Sequence, residues 1–261
     1  MRATHNSVPL RRLLLSTLLA LVGCAGLAET SHAADSTASR AHLLQYAQSQ
    51  YEAARLRFET APTNNAAAGE FARTGFDRAE FATNDTERAA LAVVCIDACR
   101  KLLARDPKSV PGHYYLGMNL GQLARTKLLG ALKIVDEMER EFKTAATLDD
   151  LFDHAGPHRN LGLLYYEAPT IGSIGSRTKA RKHLERAAEL APDFPENRLN
   201  LAEAYLKWRD KGPLKKELEA LQRLWPAAKT NFTGAAWEAA WLDWARRERK
   251  LREASEALLK R

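Results

Sequence analysis

The feature that most constrains this chain is a spacing that recurs. Ala180-x3-Leu184-x2-Ala187-x4-Pro192 sets small or apolar residues at i, i+4 and i+7, then a proline. Leu214-x3-Leu218-x2-Leu221-x4-Pro226 repeats it 34 residues later, from Pro192 to Pro226. Residues at these separations share one helical face, so each copy reads as an amphipathic helix that the proline ends. Cys95-x3-Cys99-x2-Leu102-x4-Pro107 is another copy and Met138-x3-Phe142-x2-Ala145 a looser one. A second signature stands between copies: Leu116-Gly117-x2-Leu120, Leu161-Gly162-x2-Tyr165 and Leu201-Ala202-x2-Tyr205. The small residue after each Leu lets a paired helix approach closely. Neither helix can bury its stripe alone, whereas a stack of pairs can. Composition agrees, since β-branched residues are scarce beside Ala, Leu, Glu, Lys and Arg, a balance that favours helix.

The paired signatures resemble the tetratricopeptide repeat, in which a Leu-Gly-x2-Tyr helix packs on an Ala-x3-Phe-x2-Ala helix followed by Pro. The resemblance covers residues 85–226 and implies an all-α fold, an α-solenoid of three to four helical hairpins. Residues 24–39 read as a tether, 40–84 as N-terminal helices with a loop over 61–69, and 227–261 as a C-terminal capping helix. Two intervals are long. Leu116 to Met138 takes 22 residues and Leu161 to Ala180 takes 19, against 13 from Leu201 to Leu214. The spacing predicts one extended helix over 123–147 and a loop over 168–177.

Arg2, Arg11 and Arg12 precede an apolar run, residues 13–22, too short for a permanent bilayer span. The run ends in Leu21-Val22-Gly23-Cys24, which looks like a bacterial lipobox: residues 1–23 would be a signal peptide and Cys24 the acylated N-terminus. Cleavage after Ser31-His32-Ala33, giving a soluble exported chain, and an uncleaved anchor are the rivals. Export to the periplasm, with a lipid anchor at Cys24, is the expectation. It also relocates the charge. Of 39 Lys+Arg against 32 Asp+Glu, three basic residues and no acid fall in 1–23. The remainder is interleaved in sign, the pattern of a solvated face, so no nucleic-acid partner is expected.

A narrower resemblance joins export to the long loop. Tyr166-Glu-Ala-Pro169, Gly172-Ser-Ile-Gly175-Ser176 and Lys179-Ala-Arg-Lys-His-Leu184 resemble the insertion in the T component of tripartite ATP-independent periplasmic (TRAP) transporters. That resemblance implies a helical scaffold associated with a periplasmic solute-binding protein, and a ligand role for apolar molecules.

In a solenoid of this kind the first helix of each pair lines the concave face. Offsets around each Leu then nominate Tyr114, Met118, Gln122, Arg159, Leu163, Tyr166, Leu199, Glu203 and Leu206 as a groove for a peptide or a small apolar ligand. The competing reading has another helix, 40–60 or 123–147, filling that groove. Trp237, Trp241 and Trp244 form one stripe at i, i+4 and i+7. Such a stripe caps the open end of the stack or docks a partner. Opposite it, Arg246, Arg247, Arg249, Lys250 and Arg252 read as a solvated face.

Cys95 and Cys99 sit at apolar repeat positions and are too few for a zinc site. Asp149, Asp150, Asp153, His154 and His158 are metal-ligand types, but Gly156-Pro157 breaks any common face. The turn 172–179 opens a helix, where amides can cradle an anion, without the P-loop pattern. No nucleophile–base–orienter set emerges. A non-enzymatic protein without metal or cofactor is expected.

Overall fold

The computed structural model describes residues 30–127 and 130–260. Residues 1–23, the expected signal peptide, and Cys24, the expected acylation site, lie outside them. Ten helices follow in chain order among the described residues: α1 (Thr30–Thr60), α2 (Asn65–Ala79), α3 (Asp85–Arg105), α4 (Val110–Ala124), α5 (Ala131–Leu148), α6 (Phe152–Glu167), α7 (Arg177–Leu190), α8 (Pro195–Trp208), α9 (Lys211–Asn231) and α10 (Ala235–Leu259). The described residues contain no strand. Successive helices pack as hairpins α2/α3, α4/α5, α6/α7 and α8/α9. The first helices also meet each other along the stack, α2 on α4, α4 on α6 and α6 on α8. This is the α-solenoid the spacing predicts.

Within a hairpin the small residues act as predicted. A Cβ on Gly117 would lie 2.7 Å from the Phe142 ring, and one on Gly162 would lie 2.7 Å from Leu184. Phe142 and Leu184 are the middle residues of their second-helix signatures, so the missing side chain is the seat of the apolar knob. The starts of α2, α3, α4 and α7 are set by side chains that satisfy orphan amides. Asn64 Oδ1 accepts from the amides of Ala66 and Ala67 at 2.9 and 3.1 Å. Asn84 accepts from Glu87 at 2.8 Å, and the Glu87 carboxylate accepts from the Thr83 amide at 2.7 Å. Ser109 and Ser176 open α4 and α7 likewise.

Several expectations are corrected. Helix α1 already runs through the tether segment from Thr30, and the loop expected over 61–69 ends at the Asn64 cap, where α2 begins. The predicted extended helix 123–147 does not exist. Helix α4 ends at Ala124 with Arg125 as its C-cap, and α5 starts anew at Ala131 after Gly130, whose φ of 82° lies outside the right-handed helical region. Pro226 does not end its helix, for α9 continues to Asn231, where the Trp225 ring meets Trp241 edge-on at 5.5 Å. The first hairpin also starts earlier than the repeat signatures indicate. Helix α2 lacks the Leu-Gly-x2-Tyr pattern but uses Gly75 in the same way, against Cys95.

The two ends of the stack are covered by α1 and α10. Helix α1 lies on α2 and α10 on α8, and the two touch. Leu43, Ala47 and Phe81 form a small apolar cluster there with Leu44 and Ala239, and His42 stands 3.4 Å from Glu238.

Candidate interaction face

The nine residues nominated for a groove do not line an open one. Tyr114, Met118, Gln122, Arg159, Leu163 and Leu199 are buried, and Tyr166, Glu203 and Leu206 are half-buried. Neither helix proposed as a filler is responsible alone. The faces of α2, α4, α6 and α8 close on one another through polar side chains, and α10 covers the last of them.

The central knot begins at a backbone irregularity. Asp153, His154 and Ala155 take φ values of 50°, 55° and 61° at the start of α6, a left-handed conformation costly for residues with a Cβ. Its polar groups are held from both sides. Arg159 Nη2 donates to Asp153 Oδ2 at 2.7 Å, and Tyr114 Oη donates to the same oxygen at 2.5 Å. Arg159 Nη1 and Asn197 Nδ2 both donate to the His154 carbonyl, at 3.1 and 3.0 Å. The Arg159 guanidinium lies over the Phe194 ring at 5.2 Å. Burial alone would lower the Arg159 pKa, but Tyr114 and Asp153 hold it above its ordinary value. Toward the N-terminus, Gln122 and Arg125 donate to Glu80 at 2.5 and 3.0 Å, and Asn119 donates to the Ala72 carbonyl at 3.0 Å.

The second knot joins α8 to α10. Arg247 donates to Glu196 at 2.6 Å, Glu203 at 2.7 Å, Asn200 at 2.5 Å and Asp243 at 3.3 Å. Trp244 Nε1 donates to the other Glu196 oxygen at 2.7 Å. Arg247 is 4% exposed, which corrects its placement on a solvated face. Desolvation opposes its charge, yet Glu196 and Glu203 hold its pKa well above the ordinary value. No repeat signature marks Glu196, Asn197, Asn200 or Arg247. The one available signal was three polar residues, Glu196, Asn197 and Asn200, on the inner side of a predicted core helix.

The Trp stripe is taken up inside the molecule. Trp237 and Trp244 are buried and Trp241 half-buried. Trp237 packs on Phe232 with ring centroids 4.7 Å apart, Trp244 meets Phe194 edge-on at 5.5 Å, and Trp241 Nε1 donates to the Phe232 carbonyl at 2.6 Å. The stripe thus covers the end of the stack and presents no exposed docking row.

The metal-ligand types disperse. Asp153 is engaged by Arg159 and Tyr114, Asp150 pairs with Arg186 at 3.1 Å, and His154 stacks on Phe194 at 4.3 Å. His158 Nδ1 meets His183 Nδ1 at 2.9 Å. Burial, then His158 and neighbouring lysines, push the His183 pKa down to about 4. Among the described residues no group of three or more His, Cys, Asp or Glu gathers as a metal site. Cys95 and Cys99 are buried free thiols with raised pKa values because burial disfavours thiolate. The turn before α7 spends its donors internally: Gly175 N–H on the Pro169 carbonyl, Ser176 N–H on Tyr165, and Lys179 N–H on Ser176 Oγ. Those donors are not free to hold an anion.

The sequence matches no protein-family model and no curated protein. Solved structures do match. A thermophilic tetratricopeptide-repeat protein of Thermus thermophilus, TTC0263, aligns with a TM-score of 0.51 at 20% identity, covering 86% of this chain and 99% of that one. MamA aligns with a TM-score of 0.43 at 17% identity, over 67% of this chain and 85% of its own. With paired helices, small-residue seats and a stacked order already evident, the chain has the α-solenoid fold of a tetratricopeptide-repeat protein.

Proposed function

We propose that this chain is a non-enzymatic scaffold of the cell envelope, exported, anchored by lipid at Cys24, and engaged with a protein partner. The observation that carries the binding reading is the stacked-hairpin fold with Tyr166 and Leu206 half-exposed near the C-terminal ends of α6 and α8. The lipobox-like Leu21-Val22-Gly23-Cys24 supports export, and the 166–184 resemblance supports a periplasmic solute-binding protein as partner in solute uptake. The burial of Met118, Leu163 and Leu199 weighs against an apolar-ligand carrier, since that lining is already packed.

Affinity isolation of the tagged full chain from solubilised membranes tests the proposal. A solute-binding protein should be retained, and Tyr166→Asp should weaken its retention while leaving the circular-dichroism melt within a few degrees of the parent. Retention of no envelope protein overturns the scaffold role. Retention unaffected by Tyr166→Asp moves the interface elsewhere. A small apolar molecule released from the parent in native mass spectrometry would restore the carrier reading.

A further inference from the structure

The loop between α6 and α7 carries the most exposed large apolar side chain among the described residues, Ile171, at 91% exposure. The loop is closed at its base by Gly175 N–H on the Pro169 carbonyl and Ser176 N–H on the Tyr165 carbonyl, both about 3 Å. Its tip turns at Gly172, with φ of 74°. Ile174 packs inward, while Ile171 projects. A lone projecting isoleucine fits no groove of its own chain.

The surroundings are cationic and aromatic. Segments 166–185 and 203–212 together hold seven Lys or Arg and four acids, of which Glu185 accepts from Tyr205 and Glu203 is held by Arg247. Asp210 joins the two segments by pairing with Arg177 at 2.9 Å and with Arg181. Lys207 lies over Tyr166 at 4.3 Å, Arg177 over Trp208 at 5.2 Å, and Tyr166 meets Trp208 at 5.9 Å. Lys179, Lys182, Lys207, Arg209 and Lys211 are exposed. The patch therefore combines a protruding apolar tip, amphipathic rings at its foot and excess positive charge. A concave site would suit an acidic peptide. A projecting apolar side chain with cations beside it suits a surface it can enter, and anionic lipid headgroups complement the charge.

We propose that the α6–α7 loop is a membrane-contact site, in which Ile171 enters the interface of an anionic bilayer while Lys207, Arg209, Lys211 and their neighbours meet its headgroups. This contact is separate from acylation of Cys24, and Tyr166 at its foot is where it borders the proposed partner face. It would fix which face of the solenoid turns to the membrane.

A spin label at Ile171→Cys, in the full chain carrying Cys24→Ala, reads the loop itself. Cys95 and Cys99 are buried and stay unlabelled. On phosphatidylglycerol vesicles the label should gain oxygen accessibility and lose accessibility to a water-soluble nickel chelate, with no such change on phosphatidylcholine or in high salt. Lys207→Gln and Lys211→Gln should each lower the inserted fraction about fivefold, the worth of one basic residue at an anionic surface. A label that stays in water on anionic vesicles, or an insertion indifferent to salt and to both lysines, overturns the proposal. So does immobilisation by polyglutamate but not by vesicles, which would assign the patch to an acidic protein.

Discussion

The seam between successive hairpins buries charged side chains deeply, at Arg159–Asp153 and Arg247–Glu196, whereas the ion pairs inside hairpins, such as Arg198–Glu217, stay nearer the surface. Inside a hairpin, contact is apolar and steric: Phe142 fills the space left at Gly117, and Leu184 that left at Gly162. Between hairpins, apolar contacts such as Tyr114 on Phe152 at 5.2 Å are joined by buried, directional polar ones. Tyr114, Asp153, Arg159 and Asn197 link α4, α6 and α8, and Arg247 ties α10 to Glu196, Asn200 and Glu203 of α8. Apolar contact tolerates sliding at modest cost, whereas a buried charge tolerates only the geometry that pairs it. The hairpin seam supplies burial; the inter-hairpin seam fixes the register of the stack.

The largest effect should come from breaking the polar seam on one side. Arg247→Ala leaves Glu196 and Glu203 facing each other without their cation, and Arg159→Ala does the same to Asp153. Each should cost about 3–5 kcal/mol, read as a shift in the urea midpoint. Next, Gly117→Val attacks the apolar seam by overpacking it against Phe142, at about 1–3 kcal/mol. If this substitution proved the more damaging, the ranking of the seams would reverse.

A pH effect follows from the paired imidazoles on the outer side of α6 and α7. His183 has its pKa depressed to about 4 in the folded chain, from an ordinary value of 6.5. The unfolded chain therefore takes up the proton first. Stability is full above pH ~6.5 and falls as pH drops toward ~4, by about 1–2 kcal/mol after allowing for solvent screening. His183→Gln should remove that part of the slope, measured as the difference between urea midpoints of parent and variant across the same pH range. The smallest effect belongs to a local device outside both seams. Ser176→Ala removes the cap of α7 and should lower the thermal midpoint by the equivalent of about 1 kcal/mol.

The apolar seam was legible because it is written in spacing. Leu-Gly-x2-Tyr and Ala-x3-Leu-x2-Ala are periodic, and a helix turns period into a face whatever surrounds it. The polar seam is not periodic. Arg247 looked like one of several surface cations near the C-terminus, and Trp244, Arg247 and Glu196 acquire a meaning only when α10 reaches α8. The nominated groove shows the same gap. Tyr114, Arg159 and Leu199 were placed on the inner face by their offsets, but how much of that face stays open depends on how tightly successive hairpins close. Pro226 and Gly130 mislead for a related reason. Local propensity favours a stop at the first and tolerates continuation at the second, whereas α9 runs on through Pro226 and the left-handed Gly130 is the N-cap from which α5 starts anew.

By itself, then, the sequence determined the helices, their pairing and the seats on which they pack, because those follow from a repeat of side-chain size at helical period. Tertiary structure decided which polar residues became buried partners, which part of the inner face remained uncovered, and where Ile171 was left to project. These depend on contacts between residues tens of positions apart, 44 from Glu203 to Arg247, and no local pattern encodes a distance closed only when α10 packs on α8.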